Sequence, residues 1–408
     1  MGTSKTGRLK ALVFTSLGHF TNDFTTLLFS ILIIYYNKDF GLGLAFLGAV
    51  AIAYNIISGF LSTPIGRFAD KTRQYPMLIA FGIIILGISM ILFSFSFESS
   101  RYAVPIMGFA VIFLGIGQAF YHPLGASVLE EIYSEKSSLM MGINGSFGSI
   151  GRSLLPIVLI PLILVIGAPD ALAVLGIYAI FSGIIIFFGL ASMKRWGKKL
   201  KETEKKSDPK ISIGKYKPVL ILLTLLVFVR AMFLIGTTTY ISEYLLTRVG
   251  SEITVGYILT ISFVTAILGQ PLFGRLTDKY GGKLTIAITT VFSTLTFIAF
   301  MLSGSDVLFL IISYASFVFL AFTGFPVLLG YVNQIIPSKI TTTAHGIVWG
   351  LGNTVGGATG IAVMSILILE KISLTETMWA MVLFGIASIF FIPFIPERKR
   401  LLMNRKSQ

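Results

Sequence analysis

Gly66-Arg67-Phe68-Ala69-Asp70-Lys71 recurs 208 positions later as Gly274-Arg275-Leu276-Thr277-Asp278-Lys279, two copies of one pattern, G-R-x-x-D-K. Further marks repeat in the same order. Pro123 is matched by Pro326, and Ser134-Glu135-Lys136 by Pro337-Ser338-Lys339, each 203 positions on. Gly142-Ile143 with Gly148 is matched by Gly346-Ile347 with Gly352, 204 positions on. Four marks in order at offsets of 203–208 describe a chain built of two similar halves. In a hydrophobic chain such a duplication points to transport, with the substrate site between the repeats near the middle of a bilayer.

Composition identifies the solvent. Of 408 residues 55% are hydrophobic and 12% charged, and mean hydropathy is +0.87. A soluble domain carries about 25% charged residues. Only a bilayer absorbs this much apolar surface, at roughly 20 residues per spanning helix. Spans are predicted near 11–35, 43–65, 76–95, 102–122, 138–166, 171–192, 218–245, 253–273, 284–303, 306–330, 344–369 and 376–395. The expected fold is all-α integral membrane, with twelve transmembrane helices in two six-helix pseudo-symmetric bundles. Residues 1–193 form the first bundle, 194–217 a basic linker, 218–397 the second bundle and 398–408 a basic tail. Lys5, Arg8 and Lys10 precede an apolar stretch that runs to about Tyr36. That is too long for the core of a cleaved signal, so it reads as the first span.

The net charge of +14 has an explanation other than nucleic acid. With these spans and both termini on one side, 26 of the 32 basic residues fall on that side. Lys38, Arg101, Arg248 and Lys371 fall on the other, and Arg152 and Arg230 within spans. Positive charge collects on the cytoplasmic face of membrane proteins, which places both termini there and the chain in the cell membrane. The linker, with ten basic and three acidic residues, reads as a solvated tether or a headgroup contact.

The G-x-x-x-D-(R/K) loops, the six-plus-six layout and the basic linker together resemble the major facilitator superfamily over essentially the whole chain. In that family the motif continues to a glycine and two basic residues. The second copy follows with Gly281 and Lys283, and the first departs from it with Thr72-Arg73-Gln74-Tyr75. The resemblance implies gating by Gly66, Asp70, Arg73, Gly274, Asp278 and Lys279, the two aspartates latching neighbouring helix ends. Within the superfamily, three features are similar to fosmidomycin-resistance efflux proteins. They are His19-x-x-Asn22-Asp23, Phe120-Tyr121-His122-Pro123 and Arg230 in span seven, although Leu124 stands where an acidic residue is common in that group. That resemblance implies drug–proton antiport.

Ionisable groups inside spans cost about 2.5–3.5 kcal/mol each at the bilayer centre, so each one asks for a reason. Thr15, His19, Asn22, Asp23 and Thr26 share one face of the first span, a polar stripe suited to a cavity wall. Asp23 is the candidate proton carrier, with His19 one turn earlier to share the proton; a fixed Asp23–His19 pair is the alternative. Arg152 and Arg230 cannot unload their charge, so each needs a carboxylate or an anionic solute. Pairing of Arg152 with Asp23, and snorkelling of Arg230, are the structural alternatives. Asn22, Gln118, Tyr121, His122 and Asn353 complete the candidate substrate contacts, and Glu243, with Tyr240, is a candidate outer gate. Glu130 and Glu131 read as a solvated loop and His345 as a helix cap. The glycines of the fifth and eleventh spans read as helix-packing faces, or as faces that slide.

The chain has no cysteine, which removes disulfides, thiolate metal sites and cysteine nucleophiles. Three histidines scattered along it suggest no metal site, no Walker loop is present and no cofactor is implied. The expectation is a monomeric, non-enzymatic secondary transporter that moves an anionic or zwitterionic solute against protons. Proton-coupled import or uniport of a sugar or carboxylate is the alternative, and a channel or sensor the alternative of another class.

Overall fold

The computed structural model describes residues 5–133, 136–190, 213–337 and 340–397. Most of the linker, the tail and the marks at 134–135 and 338–339 lie outside the described residues. Among the described residues, eleven stretches are long and apolar enough to cross a bilayer. The predicted fifth and sixth spans form one continuous element, Ser137–Gly189, broken at Gly167, whose φ of 84° and ψ of 160° are open to glycine. Counting that break, the chain crosses twelve times. Outward residues are apolar, such as Val165, Leu268 and Leu302, each more than 70% exposed. They are the surface that lipid covers.

Four spans are interrupted midway. The first breaks between Lys5–Phe24 and Leu28–Phe40, where Thr25 and Thr26 donate to the carbonyls of Asn22 and Asp23 in tightened turns. The fourth breaks between Ala103–Gln118 and Tyr121–Tyr133. The seventh passes from Lys217–Thr239 to Ile241–Val249 through Tyr240. The tenth ends its first helix at Ala321 and resumes as a wide π turn over Phe325–Leu329.

Two of these breaks have the same cause. Pro123 and Pro326 lack the N–H that would bond the carbonyls of Ala119 and Phe322. A neighbouring side chain replaces it each time: Ser62 Oγ donates to Ala119 O (3.3 Å) and Gln270 Nε2 to Phe322 O (2.6 Å). Within a membrane such freed groups must be re-satisfied by protein. Ser62 and Gln270 are 208 apart, so the repair is duplicated along with the fault.

The glycine faces are also duplicated. Gly142 abuts the Gln270 backbone and Gly346 the Ser62 backbone, each in the opposite half. Gly151 lies against the Phe20 carbonyl and Gly356 against the Phe228 carbonyl, each in its own half. One face of the fifth and eleventh spans therefore joins the halves while its continuation packs within a half.

Candidate functional site

At the end of the bundle that carries the duplicated loops, the halves are tied across. Asp70 Oδ2 accepts from the backbone N–H (3.0 Å) and hydroxyl (2.6 Å) of Thr343, in the first turns of the eleventh span. Asp278 Oδ2 accepts from the N–H of Leu139 (2.8 Å) at the start of the fifth. Each carboxylate meets the positive end of a helix of the other half. Gly66 and Gly274 let the backbones meet there, against Thr342 and Ser138 respectively. Lys279 stays outside, over the Tyr280 ring.

Arg73 takes the left-handed conformation (φ 58°, ψ 27°), and Gly281, at the matching position of the second copy, also has a positive φ, 94°, though with an extended ψ of 151°. That costs a non-glycine residue about 1–2 kcal/mol. Buried contacts of the guanidinium with Glu131 and with the Tyr75 hydroxyl (2.8 Å) offset it. Glu130 and Glu131 are thus not in a solvated loop: they lie on the helix Tyr121–Tyr133. His345 does not cap its helix either. It is fully buried, its Nε2 2.8 Å from Asn333 Oδ1 and its Nδ1 3.3 Å from Ser127 Oγ of the other half.

The opposite end is tied as well. Ser30 Oγ lies 2.9 Å from Ser242 Oγ, Tyr240 donates to the Leu44 carbonyl (3.3 Å), and Glu252 accepts from Lys38 (2.8 Å) and Tyr35 (3.1 Å). Glu243 lies nearby on Ile241–Val249 but does not line the cavity; the cross-half acid is Glu252.

Between the two closures lies a cavity of about 150 Å³. Its wall includes His19, Asn22, Asp23, Gln118, His122, Arg152, Arg230 and Asn353. Tyr121 is not in that wall: its hydroxyl is buried behind it, 2.7 Å from the Thr15 carbonyl and 2.9 Å from Asn144 Oδ1. The wide π turn Gly346–Val355 spreads the eleventh span and brings Trp349 and Asn353 to the cavity, the Trp349 ring 4.3 Å from that of His122.

One wall is a charge cluster centred on Asp23. Its Oδ2 lies 3.0 Å from Arg152 Nη2 and 3.1 Å from His19 Nε2. Its Oδ1 accepts from Asn22 Nδ2 (3.0 Å) and lies 3.4 Å from His122 Nε2. Two of the three histidines therefore converge, although 103 residues separate them. Their nitrogens and the Asp23 carboxylate fall within 4.8 Å of one another, a ligand-like spacing that the sequence reading of scattered histidines missed. Arg152 already balances that carboxylate, with its guanidinium 5.3 Å above the Phe322 ring. A divalent ion would have to displace or approach this cation.

The other wall differs. Arg230 is buried, does not snorkel and, among the described residues, donates only to the Ala321 carbonyl (3.0 Å). No carboxylate among them forms an ion pair with it, and its Nε has no partner there. Sequence reasoning also missed Asn144, Gly148 and Gln270, which position or line the site.

The Major Facilitator Superfamily model matches residues 15–364. The chain belongs to that superfamily. Superfamily members are membrane transporters, so this is a multi-pass membrane transport protein. Curated relatives agree over almost the full length. A fosmidomycin resistance protein of Escherichia coli (strain K12) is 23% identical over 366 residues, covering 86% of this chain and 84% of the relative. An uncharacterized MFS-type transporter, YfnC, of Bacillus subtilis (strain 168) is 23% identical over 394 residues, covering 94% and 92%.

Proposed function

We propose that the protein exports a small anionic or zwitterionic organic solute across the cell membrane in exchange for protons, by alternating access. The observation that carries this is Arg230: a buried, permanently charged group in the cavity wall, with no carboxylate partner among the described residues. An uncompensated charge is costly in a dry site, and an anionic solute would supply what the protein omits. Asn22, Gln118, His122 and Asn353 would orient that solute. Asp23, with His19, would carry the proton. A proton arriving there weakens the hold of Asp23 on Arg152, so the second cation becomes available to the solute in one protonation state only.

The excess of basic residues at the Asp70–Asp278 end supports a cytoplasmic assignment for that end and for both termini. Asp70, Asp278 and their neighbours would then form the inner closure, and Tyr240 with Lys38 and Glu252 the outer one. Export is supported by the name of the Escherichia coli relative, which describes resistance. Moving one charge across 100 mV supplies about 2.3 kcal/mol, enough to concentrate a solute roughly fortyfold.

The test uses purified protein in liposomes with an imposed pH gradient and fosmidomycin as the first solute. Wild type is expected to drive the solute toward the acidic side, and Asp23→Asn to abolish that movement. Full gradient-driven transport by Asp23→Asn would overturn the coupling assignment. Movement with the proton, or without any dependence on it, would establish symport or uniport instead.

A further inference from the structure

Three residues of the fifth span, Asn144, Gly148 and Arg152, stand at i, i+4 and i+8 and face one turn of the first span, His19 and Asp23. Arg152 holds the carboxylate at 3.0 Å. Gly148 leaves room for both groups: a Cβ there would fall 2.5 Å from Asp23 Oδ2 and 2.6 Å from His19 Nε2. Asn144 holds the far side of the imidazole, its Oδ1 2.7 Å from His19 Nδ1. The Asn144 amide nitrogen is turned the other way, toward the hydroxyls of Thr15 (3.3 Å) and Ser16 (3.2 Å). All of Asn144 is buried, and its Oδ1 also accepts from the Tyr121 hydroxyl (2.9 Å).

We propose that Asn144 is a positioning residue for proton coupling: it fixes His19 as the Nδ1–H tautomer, leaving Nε2 as the atom that takes up and returns the transported proton beside Asp23. This rests on the coupling role proposed above for the Asp23–His19 pair. The carbonyl oxygen of an amide only accepts, so the ring nitrogen facing it must carry hydrogen. Nε2 is then the basic nitrogen. It sits 3.1 Å from Asp23 Oδ2, yet an N–H placed on it finds no aligned acceptor, which suits a nitrogen that is not yet protonated. Uptake converts a neutral ring beside a carboxylate into a cation beside it, and return restores the lone pair.

The ring is enclosed by other rings: Tyr121 of the fourth span and Phe325 of the tenth, with centroids 4.8 and 4.6 Å away, and His122 at 5.4 Å. The charged or titratable groups around it are therefore Asp23 on its own helix, Arg152 on the fifth span, and Tyr121 and His122 on the fourth; the tenth offers only Phe325. Asn144 is the neutral member that distinguishes one ring nitrogen from the other.

With three histidines in the chain, ¹⁵N-histidine NMR of the full-length protein in detergent reads the tautomer without any solute. His19→Gln assigns the signal. The neutral form of His19 is expected as Nδ1–H in wild type. In Asn144→Asp an added carboxylate faces the same nitrogen, and the His19 titration midpoint should rise by about 1 unit or more, as for opposite charges within ~4–6 Å. The His345 signal should not move. Asn144→Leu, with the same branched skeleton but without either hydrogen bond, should give mixed tautomers. An Nε2–H tautomer in wild type, or an unmoved His19 midpoint in Asn144→Asp while the His345 signal reports a native fold, would overturn the proposal. In the liposome assay the pH midpoint of transport should follow His19 in Asn144→Asp. If the NMR shifts appear but wild-type transport ignores the pH gradient, the positioning geometry stands and proton-coupled export fails.

Discussion

Arg152→Met and Arg230→Met are expected to abolish solute transport alike and to move stability in opposite directions. Removing Arg152 leaves Asp23 buried without its guanidinium, and breaking one side of a buried pair typically costs about 3–5 kcal/mol. The apparent Tm of the detergent-purified protein should fall by several degrees. Asp23→Asn added to Arg152→Met should recover much of that loss, because the orphaned charge goes with it. Among the described residues Arg230 has no carboxylate to orphan. Exchanging a costly buried cation for an apolar side chain of similar length is often neutral or stabilising, by about 1–4 kcal/mol. Arg230→Met should therefore match or exceed wild-type Tm while losing the stabilisation that a bound anionic solute confers by mass action. Loss of a charged hydrogen-bonding group worth about 1.5–3 kcal/mol corresponds to roughly a 10- to 150-fold weaker affinity. Equal destabilisation by both substitutions would mean that Arg230 has a structural partner, and the anion reading would lose its main support. A trade of stability for function is what a binding residue produces and a packing residue does not.

The fold could be read in the sequence because its causes are additive along the chain. Hydropathy needs only a window, the charge asymmetry only a tally, and the duplicated loops only alignment of one half on the other. The boundary expected between the fifth and sixth spans, at 166–171, holds the break at Gly167; what was not legible is that Ser137–Gly189 runs on as one helical element around it, carrying Pro156, Pro161 and Pro169 inside.

The site was half legible for a related reason. His19, Asn22 and Asp23 lie on one helix face, and helical period alone brings them together. His122 reaches Asp23 only because the fourth span is broken beside Pro123 and packed on the first, which no local signal states. Asn144 was hidden among glycines that looked like plain packing, although its spacing of eight from Arg152 would have placed both on the face turned to the first span. Glu131 and His345 were misread because burial of a polar residue at a helix end depends on what the other half places there. A partner such as Arg73, held in a left-handed turn, cannot be inferred from composition.

The second large effect concerns the closure that Asp70 and Asp278 make. Gly66→Ala and Gly274→Ala are expected to open that end of the molecule. A Cβ at Gly66 would lie 2.7 Å from the Thr342 carbonyl, and one at Gly274 would strike the Ser138 carbonyl. Both obstacles are backbone atoms of the opposite half, so no rotamer change relieves them. The penalty exists only while the halves are in contact there and vanishes when they separate. Overpacking costs about 1–3 kcal/mol per site, so each substitution should multiply the open-to-closed ratio by roughly 5 to 150. Because the two contacts lie on different helices, the double variant should add the two free energies. The absence of native cysteines makes the measurement direct. Spin labels on Lys71→Cys and Tyr280→Cys, exposed positions in opposite halves, should report longer distances by pulsed electron resonance in either glycine variant. Gly108→Ala is the control, since a Cβ there meets nothing within 4 Å. If the distances in the glycine variants matched those of Gly108→Ala, close approach at the duplicated loops would not be what holds this end shut. A transporter trapped open at one end should still bind solute yet turn over slowly, which separates this lesion from loss of Arg230, where binding itself weakens.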